Sequence, residues 1–71
     1  MNERIKKASE IMFLDFPDFI NIKQLQEMLG IKRTKAYELI MNKEIKSRKV
    51  GKDYKIMKIN VIAYMLGEEQ I

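Results

Sequence analysis

A mainly α fold with one small β-hairpin is predicted on three observations. Apolar residues recur at helical spacing in four short blocks along the chain. A Gly-Lys-Asp turn at 51–53 separates two β-compatible runs, IKSRKV and YKIM. The chain also has 71 residues with neither cysteine nor histidine. Disulfides and the usual zinc sites are therefore excluded, and a single small core must hold one domain together.

The first block, residues 3–14, carries apolar side chains at Ile5, Ala8, Ile11, Met12 and Leu14. Pro17 follows, and a residue before proline avoids the helical region, so a helix here stops by about Asp15. The segment reads either as an added helix packed on the domain or as a frayed tail. A membrane-surface helix is disfavoured, because Glu3, Glu10 and Asp15 dilute the basic face. Asp18-Phe19-Ile20 suits a short strand. Asn21 then makes a good N-cap for a helix over 22–29, with Ile22, Leu25, Met28 and Leu29 on one face. Gly30 stands where a helix C-terminus favours a left-handed residue.

The next helical block has Ala36, Leu39 and Ile40 as its core residues and ends near Asn42-Lys43. Two short helices joined through glycine and a three- or four-residue turn make a helix-turn-helix. In the hairpin that follows, Gly51 permits the tight turn, and Val50, Tyr54 and Ile56 are the inward candidates. From Lys58 the last block places Ile59, Ile62, Ala63 and Leu66 at helical spacing and closes at Gly67. The predicted order is helix, turn, helix, two-stranded wing, helix. This is a winged helix-turn-helix over 18–71, preceded by an N-terminal extension, 1–17.

Charge is unevenly placed along this plan. Residues 1–30 hold four basic and five acidic side chains, a net −1. Residues 31–58 hold ten basic and three acidic, a net +7, and residues 59–71 carry only Glu68 and Glu69. Lysine-rich faces also serve solubility alone, but segregation this sharp favours a polyanion-binding surface. Three of those cations, Lys32, Arg33 and Lys35, crowd the start of the second helix of the pair. Helix N-termini are already electropositive, so folding alone does not ask for them there.

The segments LGIKRTKAYELI and EIKSRKVGKDYKIMKINVIAYM resemble the excisionase-like, MerR-related winged-helix DNA-binding domains of phages and mobile elements. The similarity runs over residues 20–65. It rests on a Leu-Gly-hydrophobic turn, a basic Arg-Thr segment, an Ala-Tyr-x-Leu-Ile helix and a Val-Gly-Lys wing before a Tyr-x-Ile strand. The sequence departs from that pattern at Gln24, Gln26, Lys32 and Met57. Lys32 removes the usual small cap of the second helix, leaving Thr34 as an alternative cap two residues on.

The resemblance implies that the second helix enters the major groove of double-stranded DNA, whose width admits a helix. Arg33 is the best candidate for reading a base, since a guanidinium can bond O6 and N7 of guanine together. A phosphate contact is the competing role for Arg33. Lys32 and Lys35 suit phosphate contacts, and Thr34 stands between cap, phosphate donor and thymine-methyl neighbour. Tyr37 is expected mainly to pack, with its hydroxyl in reach of a phosphate. In the wing, Arg48, Lys49, Lys52 and Lys55 are the DNA-binding candidates, with Lys52 at the tip the most reachable.

Catalysis is not expected. Familiar nucleophile–base pairs are missing, acidic residues are scattered, and the three glycines are too far apart for a phosphate loop. No cofactor, metal or small-molecule substrate is implied. The expected role is that of an excisionase, a recombination directionality factor that bends DNA to help an integrase or recombinase excise an element. Few residues follow Gly67, so affinity is expected to come from cooperative self-association on DNA. The alternatives are a small transcriptional regulator or a protein-interaction module that has lost DNA binding. No apolar run nears bilayer length, so a cytoplasmic, nucleoid-associated protein is expected.

Overall fold

The computed structural model describes residues 3–71; the first two residues of the predicted N-terminal extension lie outside the described residues. Four helices and three strands follow one another: α1 (Glu3–Ile11), β1 (Phe19–Ile20), α2 (Ile22–Leu29), α3 (Arg33–Met41), β2 (Arg48–Val50), β3 (Asp53–Met57) and α4 (Lys58–Leu66). The strands form an antiparallel sheet in the order β1-β3-β2. This is a winged helix-turn-helix, with the predicted hairpin widened by β1 into a three-stranded sheet.

Local chemistry sets the helix boundaries. Asn21 Oδ1 accepts from the Gln24 backbone N–H at 2.8 Å, and Gln24 Oε1 accepts from the Asn21 backbone N–H at 3.0 Å. Gln24 thus completes a capping box in place of the commoner glutamate. Gly30 ends α2 in the left-handed region at φ 65°, and the turn to α3 occupies residues 30–32. Lys32, in extended conformation, is the N-cap of α3 and makes no side-chain cap. The alternative start at Thr34 is therefore corrected: Thr34 is the second residue of the helix and is exposed.

Nine buried apolar residues form the core: Ile20, Leu25, Met28, Ala36, Leu39, Ile40, Ile45, Ile56 and Val61. Ala36 is wholly buried and lets α2 approach α3 closely. The N-terminal extension is an added helix, packed on α4 with Ile5 and Ala8 buried. It ends at Ile11, short of Asp15, because Phe13 turns left-handed at φ 55° before Pro17 is reached. The inner face of α4 differs from the predicted one. Asn60, Val61, Ile62 and Ala63 are buried while Ile59 and Leu66 are only half-buried. A helix with α1 on one side and β3 on another buries a wider arc than a single apolar stripe.

Two polar braces hold the connections. The Lys58 ammonium donates to the carbonyls of Phe13 and Phe16 at 3.3 and 2.9 Å, tying the loop after α1 to α4. Gln70 receives the Lys46 backbone N–H at 2.8 Å and donates to the Glu44 carbonyl at 2.6 Å. The C-terminal tail thereby fixes the segment that leads from α3 into the wing.

Candidate nucleic-acid interface

The hairpin register decides which wing residues face the helix pair. Gly51 takes φ 63° at the first position of a two-residue loop, a type II′ requirement, and Val50 pairs with Asp53. The same register opposes Lys49 to Tyr54 and Arg48 to Lys55. Side chains alternate across a sheet, so Lys49 and Tyr54 share the face of the buried Ile56 and Ile20. Arg48, Val50, Lys55, Met57 and Phe19 belong to the other face. Val50 is consequently 53% exposed, which corrects its reading as an inward residue.

On the inner face, α3 and the wing converge. Arg33, Tyr37, Lys52, Tyr54 and the α2 residues Lys23 and Gln26 line one groove. Tyr37 is half-buried and meets Tyr54 edge-on, with ring centroids 5.9 Å apart at 77°. The Arg33 guanidinium lies 5.4 Å from the Tyr37 centroid, and its Nη2 donates to the Tyr37 hydroxyl at 3.4 Å. Lys49 Nζ sits 5.8 Å from the Tyr54 centroid. Cations within about 6 Å of an aromatic centroid are attracted to its face.

At the start of α3, Lys32, Thr34 and Lys35 are exposed beside Arg33. Lys35 reaches Glu38 at 3.6 Å, with both side chains 52% exposed. A surface pair of this kind contributes little to stability, so Lys35 remains free to exchange its partner for a phosphate. With no side-chain cap on Lys32, the first turn of α3 also keeps backbone donors open to an anion.

The nine predicted residues are thus divided. Arg33, Tyr37 and Lys52 share the groove, and Lys49 joins them through Tyr54. Lys32, Thr34 and Lys35 extend the same helix end. Arg48 and Lys55 line a separate depression on the outer face with Phe19, Val50, Met57 and Ile71. Sequence reasoning missed Lys23 and Tyr54. The two-residue loop would have given Tyr54, because it places residue 54 opposite 49. Lys23 lies near the start of α2, the first helix of the pair, and in such motifs that helix crosses the DNA backbone.

A helix pair joined by a tight turn, with a wing folded against its second helix, defines a DNA-binding winged helix-turn-helix. A family model described as a helix-turn-helix domain matches residues 19–68, and the chain belongs to that family, which is found in excisionase-like DNA-binding proteins. The match supports sequence-specific DNA binding. It leaves α1 outside. No curated protein and no solved structure gives a significant match. Among the described residues, no helix is long and apolar enough to cross a membrane.

Proposed function

We propose that this chain is an excisionase, an architectural DNA-binding protein that bends its target and helps an integrase assemble for excision. One observation carries the reading: Arg33 at the start of the recognition helix and Lys52 at the wing tip line the same groove, which Lys23 of α2 lines as well. A helix seated in the major groove then brings the wing tip to the neighbouring backbone or minor groove. Contacts on both sides of a phosphate backbone favour a deformed duplex over a straight one.

In this reading Arg33 reads a base, and Lys32, Lys35, Lys49 and Lys52 bind phosphate. Thr34 and the Tyr37 hydroxyl add neutral donors, while Arg48 and Lys55, on the outer face of the wing, contribute only at long range. The protein does no chemistry on its substrate; its partners are double-stranded DNA, neighbouring copies of itself and a recombinase. It works in the cytoplasm, on the nucleoid.

The test is a single titration onto end-labelled duplexes carrying two adjacent copies of a site selected from a random pool. Energy transfer between the ends reports bending, and anisotropy reports binding, each at two salt concentrations. Cooperative occupancy with a salt-sensitive bend is expected, and Arg33→Ala and Lys52→Ala should each weaken it. Independent occupancy of a straight duplex would instead identify a transcriptional regulator using the same domain. Absence of binding at low salt would leave a protein-interaction module.

A further inference from the structure

Four side chains run without a break from the first residue of α3 to the middle of β2. Arg33 lies on Tyr37, Tyr37 meets Tyr54 edge-on, and Lys49 lies on Tyr54. The ring pair has the geometry that aromatic quadrupoles prefer, with centroids roughly 4.5–7 Å apart and edges to faces. Both terminal members are the long cations that any DNA reading of this face needs. Tyr54, between Tyr37 and Lys49, carries no charge and touches both the helix side and the wing side of this run.

We infer that Tyr54 is a positioning residue: its ring couples the wing to the recognition helix, so that Arg33 and Lys49 meet DNA as one unit. The inference rests on the DNA-binding reading of the inner face and adds a residue and a mechanism to it. Three features support it. β2 buries none of its three residues, so the wing's outer strand has no core anchor of its own. Lys49 is the direct cross-strand partner of Tyr54, so the ring sets where that cation stands. Arg and Lys side chains lose much rotamer freedom when a ligand immobilises them, and holding them on rings beforehand reduces that cost.

Coupling and simple local packing make different predictions about distant atoms. Tyr54→Leu removes the ring but keeps apolar bulk, and Tyr54→Phe keeps the ring. In the free protein, proton shifts of the Arg33 side chain are read by NMR. Coupling moves them in Tyr54→Leu and leaves them nearly unchanged in Tyr54→Phe. Tyr37→Leu breaks the run from the helix side, and there the Lys49 side chain is the distant reporter. It also stands in if Tyr54→Leu fails to fold.

On a selected DNA site, Arg33→Ala and Lys49→Ala are then combined in a double-mutant cycle. Each loss already misplaces the other cation, so the double variant should fall short of the product of the single losses by at least threefold. In the Tyr54→Leu background the losses should simply multiply. Unmoved Arg33 and Lys49 resonances, or losses that multiply in the wild type too, would overturn the inference. The NMR arm needs no DNA. If the protein bound no duplex, that arm would still decide the coupling, and only the DNA reading would fall.

Discussion

The two faces of the wing both carry cations and have opposite surroundings. The inner face presents Lys49 and Tyr54 toward α3 and continues into Ile56 and Ile20, each 1% exposed or less. The outer face presents Arg48 and Lys55 among Phe19, Val50, Met57 and Ile71, with Phe19 and Ile71 more than half exposed. Adjacent residues in the chain therefore answer to different physics. On one face a cation is held by an aromatic ring that belongs to the recognition surface. On the other it borders an apolar shelf. Counting lysines and arginines along the sequence treats these as equal, and a sheet with period two does not.

The largest expected consequence concerns stability. Ile56 and Met57 are neighbours on β3, yet Ile56 is fully buried in the core and Met57 is only partly buried, lining the depression on the outer face. Ile56→Ala should cost about 2–5 kcal/mol, the range for emptying a buried aliphatic site. Met57→Ala should cost less than about 1 kcal/mol, because a half-exposed side chain loses less transfer energy and leaves little cavity. Denaturant melts of the two variants measure the difference directly. Equal losses would mean that the outer face is as well packed as the inner one.

The next effect is on DNA binding. Lys49→Ala should weaken binding roughly tenfold and reduce the salt slope by about 1, as loss of one phosphate contact does. Arg48→Ala, one residue away on the opposite face, should change affinity by less than about threefold with little change of slope. Titrations at several salt concentrations check both. If Arg48→Ala matched Lys49→Ala in both affinity and slope, the duplex would embrace the wing from both sides, as in a minor-groove insertion.

Much of this arrangement is legible in the sequence. Asn21, Gly30, Asn42 and Gly67 punctuate the helices because capping and left-handed turns depend on local chemistry. Leu25, Ala36, Leu39 and Ile40 were recognisable as core from spacing alone. Long-range facts were not. Nothing local tells Val50 that its strand has an outer face, or tells Asn60 that its carbonyl oxygen will take the Ile71 N–H at 2.9 Å. Lys58 belongs to the basic stretch by sequence, but two carbonyls from before β1 occupy its ammonium. The basic charge available to DNA is therefore smaller than the sequence count suggests. The division of the wing cations follows from a register that a hairpin loop fixes only once its length is known.

The smallest expected effect asks whether the outer shelf is simply exposed. Val50 is 53% exposed and its cross-strand partner is Asp53. Val50→Thr keeps the β-branched shape that strands favour and replaces one methyl by a hydroxyl. On a free surface, stability should change by no more than about 0.5 kcal/mol. DNA affinity should stay within about twofold, since Val50 faces away from α3. Thermal unfolding at two protein concentrations, tenfold apart, makes the test decisive. A single melting temperature at both concentrations fits a free shelf. A loss above about 1 kcal/mol that appears only at the higher concentration means that copies of the chain cover this face, because association stabilises by mass action and the substitution removes it. That outcome would give the outer face the role of protein contact and leave the inner face to DNA.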